Sequence, residues 1–348
     1  MATIVLTGGG TAGHAIPNLA ILPYIHDSFD NICYIGREIG IERNLLEKYT
    51  DYFSIPTVKF KREICADNLL IPFKLFEAVK KSKEILKKIK PKVVFSKGGY
   101  VSLPVCIAAK QLKIPIICHE SDLTLGLANK ITAKFSDKVL TSYFETAQNL
   151  KNAIYTGAPI REGLFYADKN LALRKFGFSG QKKVILIFGG SSGSKSINNL
   201  TRQVLDKLLE KYAILHICGN DNKLTYSTEN EYFQAEFVDD MASCYKACDV
   251  AVSRGGANAL FELIALKIPS LIIPLSKSSR NDQVENAEYF KKRGMCNVAL
   301  EKNLNANFYI QEIEKLIKNQ EKIKNHIINN RIAIGNEKIA EILRSYAK

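Results

Sequence analysis

The chain has 348 residues, of which 46% are hydrophobic and 24% charged, and its formal net charge is +14. That length suits two domains, and that balance excludes a disordered or fibrous chain. No apolar run approaches the roughly 18 residues of a spanning helix, which excludes an integral membrane protein built on helices.

Met1–Thr7 has no basic stretch ahead of an apolar one, so it reads as a first strand and not as a signal peptide. The eight cysteines contain no CxxC pair, and Cys106 and Cys118 sit within apolar runs, where a reduced thiol acts as a small hydrophobe. Cys244 and Cys248 have no second ligand pair beside them. The expectations are a cytoplasmic protein and no metal.

In chain order, a first series of strands is predicted at Thr3–Thr7, Asn31–Ile35, Val93–Ser96, Ile114–His119 and Lys138–Thr141. A second follows at Val184–Phe188, Ile214–Cys218, Glu236–Val238, Asp249–Ser253 and Ser270–Pro274. Unbroken apolar runs separated by amphipathic stretches indicate parallel strands buried on both faces. Each series opens with a strand, a glycine-rich turn and a helix, so the fold class is α/β, with two Rossmann-like domains in tandem. The join falls near Thr156–Tyr166, and the closing segment from Tyr309 reads as helical.

Residues 59–97 hold twelve Lys or Arg and four Asp or Glu. Within them, Leu75, Val79, Leu86 and Ile89 share one helical face, and Lys80, Lys81, Lys83, Lys87 and Lys88 take the other. Leu69, Leu70, Ile71, Phe73 and Phe76 crowd the approach. Leu69–Lys88 is either a solvated basic helix or a patch that meets an anionic membrane surface. Aromatic residues are not interleaved with the basic ones as stacking on nucleic acid requires, so no nucleic acid is expected.

Gly8, Gly10 and Gly13 form GxGxxG between a strand and a helix, a turn that brings an anion to the helix N-terminus. With Glu38 after the next strand, this loop alone leaves NAD open. Three features lead elsewhere. His14 follows the last glycine, where a dinucleotide fold gains nothing from a titratable group and a transferase needs a base. A second glycine turn stands at Gly189–Ser194. A third, Ser253–Glu262, sets a carboxylate beside an anion-binding helix start, which suits ribose hydroxyls and a diphosphate together without a metal.

These residues resemble the MurG family of N-acetylglucosaminyl transferases. The likeness runs through Thr7–His14, Gly98–Ser102, His119-Glu120, Gly157–Arg161, Gly189–Gly193, Asp239–Met241, Ser253–Glu262 and Asp282–Ala287, in order and along the whole chain. It implies the GT-B architecture, two Rossmann-like parallel-sheet domains facing a central cleft: residues 1–160, completed by 335–348, on the acceptor and membrane side, and residues 161–334 for the donor. It implies UDP-GlcNAc as donor, an undecaprenyl-diphosphate-linked muramoyl-pentapeptide as acceptor, inversion at the transferred sugar, no cofactor and no metal. It implies action at the cytoplasmic face of the cell membrane.

Carried over by position, Thr11, Ala12 and Gly13 would lie at the diphosphates, and Arg161 and Ser191 at that of UDP. Val238, Gly256, Ala257 and Asn258 would cradle uracil and phosphate, Glu262 would bind ribose, and Gln283 and Asn286 would hold GlcNAc. Gly9, Gly10, Gly98, Gly99, Tyr100, Ser102 and Asp122 would border the acceptor. His14 is the candidate base, with Asp122 and Glu120 as rivals. The chain departs from the family's usual residues at Ala12, Asp122 and Asp282. Another UDP-sugar transferase or a UDP-GlcNAc 2-epimerase remains the nearest alternative, an NAD-dependent oxidoreductase a distant one, and a non-enzymatic binder of anionic surfaces a further one.

Overall fold

The computed structural model describes residues 1–57, 71–190, 193–220, 222, 231–275 and 281–347, with the side chain of Ile71 excepted. Leu69, Leu70, Cys65 and Ser191 therefore lie outside the described residues. The chain divides into two units, Met1–Arg161 with Ala333–Lys348, and Glu162–Ile332.

In the first unit the strands are β1 (Thr3–Thr7), β2 (Asn31–Gly36), β3 (Asp51–Ser54), β4 (Val93–Ser96), β5 (Ile116–Glu120), β6 (Lys138–Thr141) and β7 (Ala153–Tyr155). They form one sheet in the order β3-β2-β1-β4-β5-β6-β7, with every pairing parallel. In the second unit β8 (Lys183–Phe188), β9 (Tyr212–Ile217), β10 (Tyr232–Ala235), β11 (Val250–Ser253), β12 (Ser270–Ile272) and β13 (Asn297–Val298) form a parallel sheet ordered β10-β9-β8-β11-β12-β13. In both sheets the strand order reverses at the first strand of the unit. A doubly wound sheet binds ligands at the carboxyl ends of the strands flanking that switch point. The two pairs are β1 with β4 and β8 with β11.

Apolar strands and helices cover both faces of the first sheet. Ile4, Leu6 and Phe95 pack with Ile21 and Ile25 on one side, and Val5, Ile35 and Val94 with Val105 and Ile85 on the other. Residues from Ala333 onward return to this unit. Ala158 bridges Ile334, and buried Asn336 clamps Ile160, accepting from its N–H at 2.8 Å and donating to its carbonyl at 2.7 Å. Ile339, Ala340 and Leu343 then close the core beside the helix Ala12–Ile25.

One predicted strand is corrected. Glu236–Val238 lies in a loop, and the strand is Tyr232–Ala235, whose register on β9 pairs Tyr232 with Ile214 and Ala235 with Ile217. The apolar pair Phe237-Val238 suggested a strand, yet Phe237 is half exposed.

Candidate active site

The switch point of the first sheet is built by two glycine turns that press together. β1 ends in Gly8-Gly9-Gly10 and leads into the helix Ala12–Ile25, whose N-cap residue Thr11 makes no side-chain hydrogen bond to the first turn. β4 ends in Lys97-Gly98-Gly99-Tyr100. Gly99 has φ +81°, and a Cβ there would lie 2.4 Å from the carbonyl oxygen of Gly9 and 2.9 Å from Cδ2 of His14. Only glycine permits that approach. Gly10 has φ +92° and rests on the Tyr100 ring, and Ser102 ties the second turn by donating through Oγ to the Gly99 carbonyl at 3.0 Å. Gly9, Gly10, His14, Gly98, Gly99, Tyr100 and Ser102 are thus brought together.

Half-buried His14 reaches the Lys97 carbonyl oxygen with Nδ1 at 3.0 Å. A carbonyl only accepts, so Nδ1 carries the proton and Nε2 is the basic nitrogen. The Lys97 side chain is 2% exposed and runs beneath the turn to Nδ1 of His119 and, at 2.9 Å, to Oγ of Ser121. Burial lowers its ammonium to about 7, against the opposing pull of Glu120 and Asp122. Burial, and then the Lys97 charge, push the His119 imidazole well below its usual range. His119 donates from Nε2 to the Gly157 carbonyl at 3.4 Å, which leaves Nδ1 to accept from Lys97.

Glu120 is buried, and both its oxygens are engaged. Oε1 accepts from the Asp122 N–H at 3.0 Å, and Oε2 from the Gly126 N–H at 2.8 Å and from Asn129 Nδ2 at 3.0 Å. Glu120 fastens the loop after β5 through these three hydrogen bonds. Asp122 stands half-buried on that same loop.

Beneath the first glycine turn lies a network that the sequence did not reveal. Fully buried Glu42 accepts from Arg37 at 2.7 and 3.0 Å and from the Gly10 N–H at 3.4 Å. Burial raises the Glu42 carboxyl, but the Arg37 and backbone hydrogen bonds outweigh it and hold the group below its ordinary range. Arg37 in turn donates to the Tyr100 hydroxyl at 3.0 Å. Glu42 sits five residues after Arg37 on a short helix, with no motif to mark it. The close packing of Gly9 against its carboxylate is what reveals it.

In the second unit, β8 leads through Gly189 and Gly190 to the helix Lys195–Lys211, which Ser194 caps by accepting from the Ile197 N–H at 3.4 Å. β11 leads through Arg254, Gly255 and Gly256 to the helix Ala257–Ala265, whose N-cap residue is Gly256, with no side chain of its own to cap it. Gly256 and Asn258 are half-buried and Ala257 is buried. A Cβ on Gly255 would lie 2.4 Å from the Gln283 carbonyl oxygen, and Asn286 donates to the Gly255 carbonyl at 3.4 Å. The structure therefore sets Gln283 and Asn286 against the turn that carries Gly256, Ala257 and Asn258, and Glu262 follows on the helix this turn opens. Glu262 is 8% exposed and accepts from the Tyr245 hydroxyl at 2.9 Å. Gln283 accepts from the Leu275 N–H at 3.0 Å, and Asn286 is fully buried beneath the turn. Arg254 braces the turn by donating to the Ile273 carbonyl at 3.0 Å, to Ser196 Oγ at 2.8 Å and to Glu301 at 3.0 Å. In the sequence Arg254 is an ordinary member of the turn, with nothing to mark its three bonds. Val238 lies half-buried in the loop after β10, and Arg161 is half-buried at the last residue of its segment. Among the described residues no three His, Cys, Asp or Glu side chains converge as metal ligands.

Residues 4–141 match the glycosyltransferase family 28 N-terminal domain, and residues 184–343 match the glycosyltransferase family 28 C-terminal domain. The UDP-N-acetylglucosamine--N-acetylmuramyl-(pentapeptide) pyrophosphoryl-undecaprenol N-acetylglucosamine transferase of Clostridium botulinum strain Langeland is 42% identical, over all of both chains. The crystal structure of Acinetobacter baumannii MurG superposes with a TM-score of 0.75 at 21% identity, covering 99% of this chain and 100% of that one. A UDP-GlcNAc 2-epimerase from Neisseria meningitidis, bound to UDP-GlcNAc, superposes with a TM-score of 0.67 at 16% identity and covers 99% of each chain. Both structural likenesses concern the fold.

Proposed function

The chain belongs to glycosyltransferase family 28, and from that premise we propose that it transfers N-acetylglucosamine from UDP-N-acetylglucosamine to the C4 hydroxyl of an N-acetylmuramoyl-pentapeptide carried on undecaprenyl diphosphate. The observation that carries this reading is identity along the full length of a transferase with those substrates. It separates the chain from the epimerases, which share its fold at 16% identity. The glycine turns at the carboxyl edge of both sheets give the reading its chemistry.

On the acceptor side, Gly9–Gly13 and Gly98–Ser102 form the floor that receives the acceptor diphosphate and sugar, with Thr11, Ala12 and Gly13 at the start of the helix. On the donor side, Gly256–Asn258 opens a second helix toward the UDP diphosphate, with Arg161 and Ser191 assigned to the same charge. Glu262, oriented by Tyr245, meets the ribose, Val238 borders uracil, and Gln283 and Asn286 hold the GlcNAc side of the turn.

His14 is the base. Its Nδ1–H is committed to the Lys97 carbonyl, so Nε2 takes the proton of the acceptor hydroxyl as that oxygen attacks the anomeric carbon. UDP leaves from the opposite face, and inversion follows. Charge growing on the leaving diphosphate is met by backbone N–H groups already oriented in the turn, which need no reorganisation during the reaction. Asp122 is assigned to the acceptor side of the same floor.

The protein acts as a peripheral protein at the cytoplasmic face of the membrane. No helix among the described residues is long and apolar enough to cross a membrane. The helix Ile71–Ile89 buries Ala78, Ser82, Ile85 and Leu86 and leaves Phe73 and Phe76 at 74% and 71% exposure beside exposed lysines. That combination supports contact with anionic lipid.

Two assays test the reading. UDP and UDP-GlcNAc should raise Tm by mass action, equally with and without EDTA. A soluble muramoyl-peptide diphosphate acceptor should then accumulate a disaccharide product. Formation of UDP-ManNAc without acceptor, or a Tm response to NADH alone, would overturn it.

A further inference from the structure

A cavity of about 740 Å³ opens on the first unit, lined in part by Tyr100, the residue that also packs against Gly10 of the glycine turn. Pockets for small-molecule ligands run from about 300 to 1,000 Å³. Tyr100 belongs to both: its ring supports Gly10, and its hydroxyl accepts from Arg37, which lines the cavity. The network that fixes the turn therefore also fixes one wall of the cavity, through Glu42.

The walls differ in kind. On one side the helix Ile71–Ile89 presents Glu77, Lys80, Lys81 and Glu84, all exposed. On the other runs the extended segment 54–57 at the end of β3, the outermost strand of its sheet. Ile55 gives its N–H inward to the Gly36 carbonyl at 2.9 Å, and no strand pairs with the outer side among the described residues. On that outer side the segment offers the N–H and C=O of Ser54 and the C=O of Pro56, whose ring nitrogen has no hydrogen to donate, to an added peptide. The side chains balance in sign, with Arg37, Lys80 and Lys81 against Glu38, Glu77 and Glu84; Arg37 is already paired with Glu42, and Lys81 stands 3.8 Å from Glu84 in an exposed pair. A polyanion gains little from such a wall. A short peptide, with amides along its length and carboxylate and ammonium groups on its ends and side chains, matches it in both respects.

We infer that this cavity receives the peptide of the acceptor, its main chain beside residues 54–57 and its carboxylates toward Lys80 and Lys81. The inference rests on the transferase reading above. In a muramoyl acceptor the peptide hangs from the same sugar that carries the reacting hydroxyl and the diphosphate. A site that shares Tyr100 with the diphosphate floor is within its reach.

The test uses two water-soluble acceptors without vesicles, a short-chain diphosphate muramoyl-pentapeptide and the same compound lacking the peptide. Their kcat/KM ratio is measured for the full-length enzyme and for Lys80→Glu/Lys81→Glu. The unmodified enzyme should favour the peptide acceptor at least tenfold, and the double variant should reduce that preference to within about threefold, through the KM for acceptor. The ratio comes from one enzyme preparation, so a change in folded fraction does not move it. Equal use of the two acceptors by the unmodified enzyme, or an undiminished preference in the variant, would overturn the assignment. Activity on neither acceptor would overturn the transferase reading and this one with it.

Discussion

His14 and Lys97 are joined through the lysine's backbone and not its side chain: the imidazole Nδ1 donates to the Lys97 carbonyl oxygen 3.0 Å away. The ring is therefore fixed in orientation and tautomer by a strand end, which a substitution of the lysine side chain does not remove. His14→Ala should lower kcat by roughly 10²–10⁴ and leave the Tm rise with UDP intact, since His14 is proposed above to act on the acceptor and not to hold UDP. Steady-state kinetics beside a thermal shift checks it, and a loss within about tenfold would take the base role from His14.

The Lys97 side chain makes a separate prediction about stability and pH. Its ammonium is lowered to about 7 in the fold by burial, against about 10.4 in an unfolded chain. Below pH 7 both states hold the proton, and the penalty for burying the charge is present in full. Between about 7 and 10.4 the unfolded chain holds a proton that the folded one has released, so this group's penalty shrinks as pH rises. Lys97→Met should therefore raise Tm more at pH 6.5 than at pH 9.5. An equal effect at both would show that the charge is not the cost.

Glu42→Ala strips Gly10 and Arg37 of their common acceptor and leaves a guanidinium in a half-buried site. Breaking such a pair costs about 3 kcal/mol, or roughly 6–12 °C in Tm for a unit of this size. Differential scanning calorimetry reads this directly. Because the turn under His14 loosens as well, kcat should fall by more than the lost folded fraction explains.

Phe73→Ser/Phe76→Ser should lower sedimentation with anionic vesicles severalfold while sparing turnover of a short-chain acceptor in solution. Both residues are exposed and remote from the core, so Tm should stay within about 1 °C, as surface changes usually do. Unchanged sedimentation would place the lipid contact elsewhere.

The glycine turns were legible because their cause is local. A turn that crowds two strand ends demands glycine, and Gly10 and Gly99 mark it. The strands that flank the switch points were legible too, because parallel strands covered on both faces are continuously apolar. β3 was passed over, since an outermost strand such as Asp51–Ser54 keeps polar residues, and β13 has only two residues. Phe237-Val238 misled for the opposite reason, as an apolar pair lying just past the end of a strand. The Glu42–Arg37–Tyr100 network could not be read at all. Arg37 and Tyr100 are 63 positions apart, and neither the sign nor the spacing of those residues announces that they meet. Glu120 shows the same limit within a recognised motif: the pattern marked the residue, but only the two occupied oxygens showed that it fastens a loop.

The clamp of Asn336 on Ile160 has a consequence for biosynthesis. The first unit is assembled from two stretches of chain with the entire second unit threaded between them. At about 5–20 residues per second, a ribosome needs roughly 10–30 s to make Glu162–Ile332. Through that interval the helix Ala12–Ile25 lacks Ile339, Ala340 and Leu343, and the part of its apolar surface that they cover stays bare. The first unit thus cannot complete its core until the chain returns to it, and loss of the residues after Ala333 would leave that core permanently open.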